Sequence, residues 1–420
     1  MVIPIVIFAV AYVGIAFSKI PKSLIAMLGA AAMVLLGSLD SHQAFEYVDL
    51  NVILLLACMM VIADITGRTG IFEWAAIRCA QIARGQGFSI LVLLCLLTAV
   101  ASAFLDNVTT VVLMVPVTIS ICRALNIDAT LLLISEIFAS NLGGAATLVG
   151  DPPNIIIGSE AGISFFDFIV ALTPLVVVEL IVLFGLLFLM IGKKLKVSTE
   201  RREHIMTLNA KDAITDMVLL RKSLVVLGAT VIGFIGHGII NVEPAFIAIA
   251  GAAMLMLIAK IDPADAFRTV HHATLFFFIG LFMMVGGLIE NQVLDKVQGW
   301  LVTATGDDLN TLAIVLLWFS GIVSAIVDNI PYTATMVPVV ADIVGDNPGV
   351  GISVLWWSLS LGANLGGNFT IVGAAANVLV ADSAKEQGHP ISFMYFLKYG
   401  VVISLTTLLV ASGYLWVRFL

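Results

Sequence analysis

Residues 102–117 read SAFLDNVTTVVLMVPV and residues 324–339 read SAIVDNIPYTATMVPV, an offset of 222 with eight of sixteen positions identical. A second pair follows in the same order. Residues 141–154 read NLGGAATLVGDPPN and residues 364–377 read NLGGNFTIVGAAAN, offset by 223 with eight of fourteen identical. The spacing also holds upstream, where Gly29-Ala30-Ala31 aligns with Gly251-Ala252-Ala253 and Ala44-Phe45 with Ala266-Phe267. Two motif pairs in one order at one spacing mark a tandem duplication. Its halves run over 1–192 and 222–420, joined by a polar connector, 193–221.

Around these motifs the chain is apolar. Of 420 residues, 60% are hydrophobic and 11% charged, and mean hydropathy is +1.11. A soluble domain carries about a quarter charged residues, so a water-soluble globular enzyme, a nucleic-acid binder and a disordered chain are all excluded. Apolar runs long enough to cross a bilayer recur from end to end, which makes this an all-α polytopic membrane protein. Net charge is −8. Cys58, Cys79, Cys95 and Cys122 follow no disulfide or metal spacing and read as small buried hydrophobes. The first run, Val2–Phe17, has no basic flank before it and no cleavage site after it, so it reads as a first span.

Each half has the same plan. Three apolar spans come first (2–17, 23–39 and 50–66; 223–240, 244–260 and 273–289), then a short amphipathic segment (72–84; 293–303) at the interface. Two apolar pieces follow, each too short or interrupted for an ordinary span, and they break at Asp106-Asn107 and Asp328-Asn329. A further piece ends in the Gly-rich break, and a long span closes the half (164–192; 391–417). If each Asp-Asn pair is the tip of a re-entrant hairpin, a half crosses five times, and the second half is inverted relative to the first. The expected fold is thus two inverted-topology repeats with about ten transmembrane spans plus two re-entrant helical hairpins.

The positive-inside rule supports this arrangement. With the connector cytoplasmic and the N-terminus outside, 18 Lys and Arg fall inside and 2 outside, the exceptions being Lys296 and Arg418. The inside set is Lys19, Lys22, Arg68, Arg78, Arg84, Arg123, Lys260, Arg268, Lys385, Lys398 and the eight basic residues of 193–222. The connector itself reads as a solvated loop.

Broken apolar segments at matching positions of two inverted halves point to a transporter's binding site. Unpaired backbone groups are tolerated at membrane depth only where they line a cavity. Asp106 and Asp328, ionisable groups in such breaks, are candidates for proton or cation coupling; the structural alternative is that they cap half-helices beginning at Val108 and Ile330. Beside them Asn107, Thr109, Thr110, Asn329 and Thr333 offer neutral hydrogen-bonding groups for a substrate. Asn141, Thr147, Asn154, Asn364, Asn368, Thr370 and Asn377 do the same at the Gly-rich breaks. There Gly143, Gly144, Gly366 and Gly367 permit close backbone approach, either to substrate or between helices. Asp151-Pro152-Pro153 in the first half is Ala374-Ala375-Ala376 in the second, which makes Asp151 an asymmetric carboxylate and a third coupling candidate. Glu136 and Glu179, in apolar runs without acidic counterparts, complete the coupling set. No nucleophile elbow, P-loop, metal-ligand spacing or cofactor motif competes, so the chain is not read as an enzyme.

These motifs resemble those of the ion transporter superfamily, in the branch of ArsB-type arsenite permeases, NhaD-type sodium/proton antiporters and P proteins. The string GDPPN (150–154) is most similar to the ArsB and P-protein members. The dicarboxylate members carry Ser-Asn-Thr at the hairpin tips, whereas here the tips carry Asp-Asn, and two carboxylates there would repel a dianion. The resemblance implies an elevator-type transport domain (88–192 and 309–420) carried on a scaffold (1–66 and 223–289), a homodimer in the inner membrane and a cytoplasmic ATPase subunit as partner. It implies proton-coupled efflux of arsenite or antimonite, with a sodium/proton antiporter or another small-ion transporter as the alternative.

Overall fold

A computed structural model describes residues 2–18, 20–306, 308–346 and 353–420; Lys19, counted above with the inward basic residues, lies outside the described residues. Among the described residues every regular element is helical, and the helices of ten residues or more form two runs of nine. The first run is α1 (Val2–Phe17), α2 (Lys22–Leu35), α3 (Leu50–Gly67), α4 (Ile71–Ile82), α5 (Gly87–Leu105), α6 (Asn107–Leu125), α7 (Ala129–Gly144), α8 (Pro152–Ala161) and α9 (Phe165–Ile191). The second is α10 (Met217–Ile240), α11 (Pro244–Ala259), α12 (His272–Glu290), α13 (Val293–Thr305), α14 (Leu309–Val327), α15 (Asn329–Asp346), α16 (Ser353–Gly366), α17 (Ala375–Glu386) and α18 (Phe393–Arg418). Each helix of the first run has its counterpart nine labels later, as the duplication requires.

Local signals explain the ends. Asn241 in the left-handed region (φ 52°) closes α10, and Pro244 opens α11, the usual pairing of a tolerant C-cap with a first-turn proline. Ser164 caps α9 through a reciprocal capping box with Asp167, which satisfies two otherwise orphaned donors.

Eight of the described helices are long and apolar enough to span a membrane: α3, α5, α6, α9, α10, α12, α14 and α18. The expectation from sequence was ten spans with short hairpin pieces, and the difference has a physical reason. Each hairpin reverses in a single residue, so α5, α6 and α14 keep 19 helical residues apiece. At 1.5 Å per residue such an arm is about 28 Å long, close to the thickness of a bilayer core. Conversely α1, α2, α7 and α11 are apolar but have 16, 14, 16 and 16 residues. Apolar side chains such as Leu35, Leu189, Ile239 and Val417 are fully exposed along the outer helices, the surface that lipid covers.

Packing is exchanged between the halves. α2 lies against α12 and α3 against α11, while α6 meets α17 and α8 meets α15. Within each half α5 runs along α7, and α14 along α16. Glycine makes that closeness possible: a Cβ on Gly143 would sit 2.2 Å from the Ala99 carbonyl oxygen, and one on Gly366 would sit 2.4 Å from that of Gly321. Backbone cannot yield as a side-chain end can, and overpacking of this kind costs roughly 1–3 kcal/mol or more. Gly143→Ala and Gly366→Ala are therefore expected to lower the melting temperature in detergent by several degrees. Gly228→Ala, at a helical site with open space, is expected to leave it unchanged or raise it.

The connector departs from the solvated loop that its charge suggests. It carries a helix at Thr199–Thr207, and Ile205 and Ala210 are buried. Thr215 is tied to the α3–α4 corner through Thr69 and Arg68. Gln81 donates to the Leu208 carbonyl at 2.7 Å, and Arg201 to that of Ala124 at 3.3 Å. A run of basic residues marks the side of the membrane, but the apolar residues interleaved with it decide that the segment packs.

Candidate functional site

The site is assembled from the two hairpin tips and the two Gly-rich breaks. Asp106 is at once the C-cap of α5 and the N-cap of α6, with φ 76° and ψ 137°; Asp328 follows α14 as its C-cap and precedes α15, with φ 97° and ψ 135°. Positive φ is costly for a residue with a Cβ, of order 1–3 kcal/mol, and persists where the surroundings over-determine it. Capping offsets part of the cost. Asp106 Oδ2 accepts from the Thr109 amide and hydroxyl, each at 3.1 Å, and Asp328 Oδ1 accepts from the Ile330 amide at 3.2 Å. The second oxygens differ: Asp106 Oδ1 is buried without a partner, whereas Asp328 Oδ2 accepts from the Lys22 ammonium.

Asp151 joins the two tips. Its carboxylate accepts from Asn107 Nδ2 at 2.6 Å and from Asn329 Nδ2 at 3.3 and 3.4 Å, one asparagine from each half. The position matching Asp151 in the second half is Ala374. Because the equivalent tips already converge on Asp151, an aspartate at 374 would address the same two amides from the other side. Two buried carboxylates would then face each other. One carboxylate at the meeting point of two equivalent halves accounts for the asymmetry noted in the sequence.

The Gly-rich breaks clasp each other reciprocally. Asn141 donates to Asn377 Oδ1 at 3.0 Å, and its counterpart Asn364 donates to Asn154 Oδ1 at 2.8 Å. Asn154 Nδ2 in turn holds the carbonyls of Gly144 and Thr147, and Asn377 Nδ2 holds those of Gly367 and Thr370. Residue i of one half meets residue j of the other, and the reverse holds too. Asn141 also donates to Asn368 Oδ1 at 2.8 Å. Thr147 and Thr370 hydroxyls tie the breaks to the Ala103 and Ala325 carbonyls at 2.5 and 2.6 Å. These bonds replace the helical pairing that the breaks give up, as a low-dielectric interior requires.

All of these asparagines, Asp106, Asp151, Asp328, Thr109, Thr110, Thr147 and Thr333 are buried; Thr370 is half-buried. Hydrogen bonds join Asn107, Asn141, Asp151, Asn329, Asn368 and Asn377 in one group and Asn154 with Asn364 in a second. Gly143 and Gly366 serve helix approach, as described above, while Gly144 and Gly367 contribute carbonyls. Glu136 and Glu179 stand apart. Glu136 accepts from Thr118 at 2.8 Å, and Glu179 is buried with neither oxygen partnered.

Several residues were not legible beforehand. Lys22, read as a cytoplasmic marker, places Nζ 2.6 Å from Asp328 Oδ2. Ser360, which donates to Asn154 Oδ1 at 2.7 Å, matches an isoleucine in the first half, so the repeat does not signal it. Next to the cluster a cavity of ≈ 330 Å³ lies between α3, α8, α10 and α11, with Asn51, His237 and Glu243 in its wall. Its lining includes Leu148 and Ile155, chain neighbours of Thr147 and Asn154.

Several buried polar atoms of the cluster lack partners: Asp106 Oδ1, Asn107 Oδ1, Thr110 Oγ1, Thr333 Oγ1, Asn364 Oδ1 and Asn368 Nδ2. Five of these are carboxylate, amide or hydroxyl oxygens, all able to accept. Orphaned polar groups in a buried site are expensive, and a solute that supplies donors or positive charge would satisfy them.

Comparison with known proteins fits this architecture. A 46 kDa membrane protein of Mycobacterium leprae is 43% identical over 424 residues, covering 100% of this chain and 99% of that one. An uncharacterized transporter of Mycobacterium tuberculosis is 43% identical over 425 residues, covering 100% and 98%. The P protein of Homo sapiens is 32% identical over 495 residues, covering 98% of this chain and 59% of that one. The citrate transporter family, CitMHS, matches residues 12–362. A chain of broken, buried polar helices inside an apolar shell, matched over most of its length by these proteins, belongs to the CitMHS family of membrane transporters.

Proposed function

We propose that this chain is a secondary active transporter that moves a small, donor-rich, non-anionic solute, arsenite or antimonite as the neutral trihydroxide, at the expense of a proton gradient. The observation that carries this reading is the surplus of unpartnered acceptor oxygens in the cluster. Citrate, the solute in the family's description, brings carboxylates that only accept. It would meet Asp106, Asp151 and Asp328, with Lys22 already engaged by one of them. A trihydroxide brings three O–H donors to the same oxygens. The halves act as inverted repeats, supported by the reciprocal Asn141–Asn377 and Asn364–Asn154 bonds and by the distribution of basic residues. The hairpins and breaks form the moving part on the frame of α1–α3 and α10–α12, in an inner-membrane protein whose N-terminus lies outside.

A second reading, sodium/proton antiport, is favoured by the same oxygens as hard ligands for a cation. Everted vesicles separate the two. With an imposed pH gradient, labelled arsenite is expected to accumulate several-fold and to leave on addition of an uncoupler, and sodium alone is expected to evoke no proton flux. Sodium-evoked proton flux without arsenite uptake assigns the antiporter. Gradient-driven citrate accumulation would overturn the donor-rich solute altogether.

A further inference from the structure

Lys22 opens α2, 306 residues away in sequence from the tip carboxylate that it contacts. Its ammonium donates to Asp328 Oδ2 at 2.6 Å, with the aspartate 2% and the lysine 33% exposed. Close by, Tyr12 of α1 shares a hydrogen bond of 2.9 Å with Thr335 of α15, so the first two helices are fastened to the second hairpin at two points. The first hairpin is built alike in backbone but not in charge. The residue matching Lys22 at the repeat offset is Pro244, and Asp106 leaves Oδ1 unpartnered. A buried carboxylate stripped of its counter-charge is costly. Exchanging one positive partner for another spares Asp328 that cost.

We infer that the Lys22 ammonium is a tethered stand-in for the coupling cation. It occupies Asp328 in this state and is displaced when a proton or a monovalent cation from solution takes that carboxylate. The inference rests on the reading of Asp328 as a coupling group and adds a competitor to it. A tethered competitor divides the intrinsic dissociation constant of the free cation by the fraction of time that the site is free, so that 90% occupancy by Lys22 raises the apparent constant about tenfold. Asp106, with proline in place of the competitor, loads without that penalty, so the two tips fill at different cation concentrations.

Amine acylation of the full chain in everted vesicles tests this without needing transport. Lys22 modification is read by peptide mass spectrometry relative to the exposed Lys194, in sodium, lithium or choline chloride of equal ionic strength and at stepped pH. The expected result is a rise of fivefold or more in the Lys22 to Lys194 ratio with sodium or with acid but not with choline. In Asp328→Asn the ratio should be high in every condition. In transport, Lys22→Met is expected to lower the half-saturating concentration of the driving cation about tenfold, while Lys22→Arg stays near wild type. A ratio indifferent to sodium, lithium and pH in the wild-type chain overturns the inference, and this arm decides alone if Lys22→Met does not fold. Unchanged half-saturation in a folded Lys22→Met chain overturns it as well. Wild-type accumulation by Asp328→Asn instead removes Asp328 from coupling, a separate outcome because labelling and accumulation are measured independently.

Discussion

Alanine at position 151 is expected to bring transport to background in a chain that still reaches the membrane. Asp151 holds the tip asparagines of both halves at 2.6 and 3.3 Å. Its loss leaves the buried Asn329 amide without an acceptor, at about 1–3 kcal/mol, leaves that of Asn107 only a 3.4 Å bond to Asn141 Oδ1, and releases both tips from their common anchor. Asn107→Ala and Asn329→Ala should reach the same end from the other side of these bonds. Asp151→Asn separates charge from shape, because its amide oxygen can still accept from both asparagines; it is expected to fold normally and still lose transport. The reciprocal bonds between the breaks add a sharper arm. Ala374→Asp alone should inactivate by bringing a second carboxylate to the meeting point, whereas Asp151→Ala with Ala374→Asp should recover part of the activity. Solute uptake and membrane abundance, measured side by side, decide the matter. Near-normal uptake by Asp151→Ala or by either asparagine variant would remove the tips from the site.

Asp106→Asn and Asp328→Asn are expected to uncouple the carrier: solute exchange down its gradient persists, and accumulation against it disappears. Asparagine is chosen because it caps a helix about as well as aspartate and tolerates positive φ. The substitution therefore removes charge while sparing the geometry at φ 76° and 97°. The two variants should differ in stability. Asp328→Asn strands the Lys22 ammonium, and orphaning one member of a buried pair costs about 3–5 kcal/mol. With Lys22 33% exposed, the low end of that range applies. Asp106→Asn strands no cation and should melt near wild type, and Lys22→Met in the Asp328→Asn background should regain stability. Vesicles with and without an imposed pH gradient give the coupling, and thermal unfolding in detergent gives the stability. If both asparagine variants accumulate solute in proportion to the gradient, the tip carboxylates are caps alone, and coupling would fall to Asp151, Glu136 or Glu179.

The duplication, the helices and the places where they break were legible in the chain, because each is written in local or covalent terms. Apolar runs of bilayer length make helices, and Gly-Gly, Asp-Asn and Asp-Pro-Pro interrupt them. A repeat at 222–223 residues declares that whatever one half builds, the other builds again. The breaks also marked which polar residues would be buried, since each lies within an apolar segment.

What the residues do to one another was decided by the tertiary structure. The convergence of Asn107 and Asn329 on Asp151 spans 44 and 178 residues, and the clasp of Asn141 with Asn377 spans 236. No periodicity carries such partnerships. They arise because packing α6 on α17 and α8 on α15 leaves buried donors and acceptors that must find each other or go unpaid. The same holds for Lys22, which in sequence is one more positive charge near a helix start. A lysine's long stem lets its charge be placed several ångströms from its backbone, so the chain shows where the residue begins, and the fold alone determines which carboxylate it reaches.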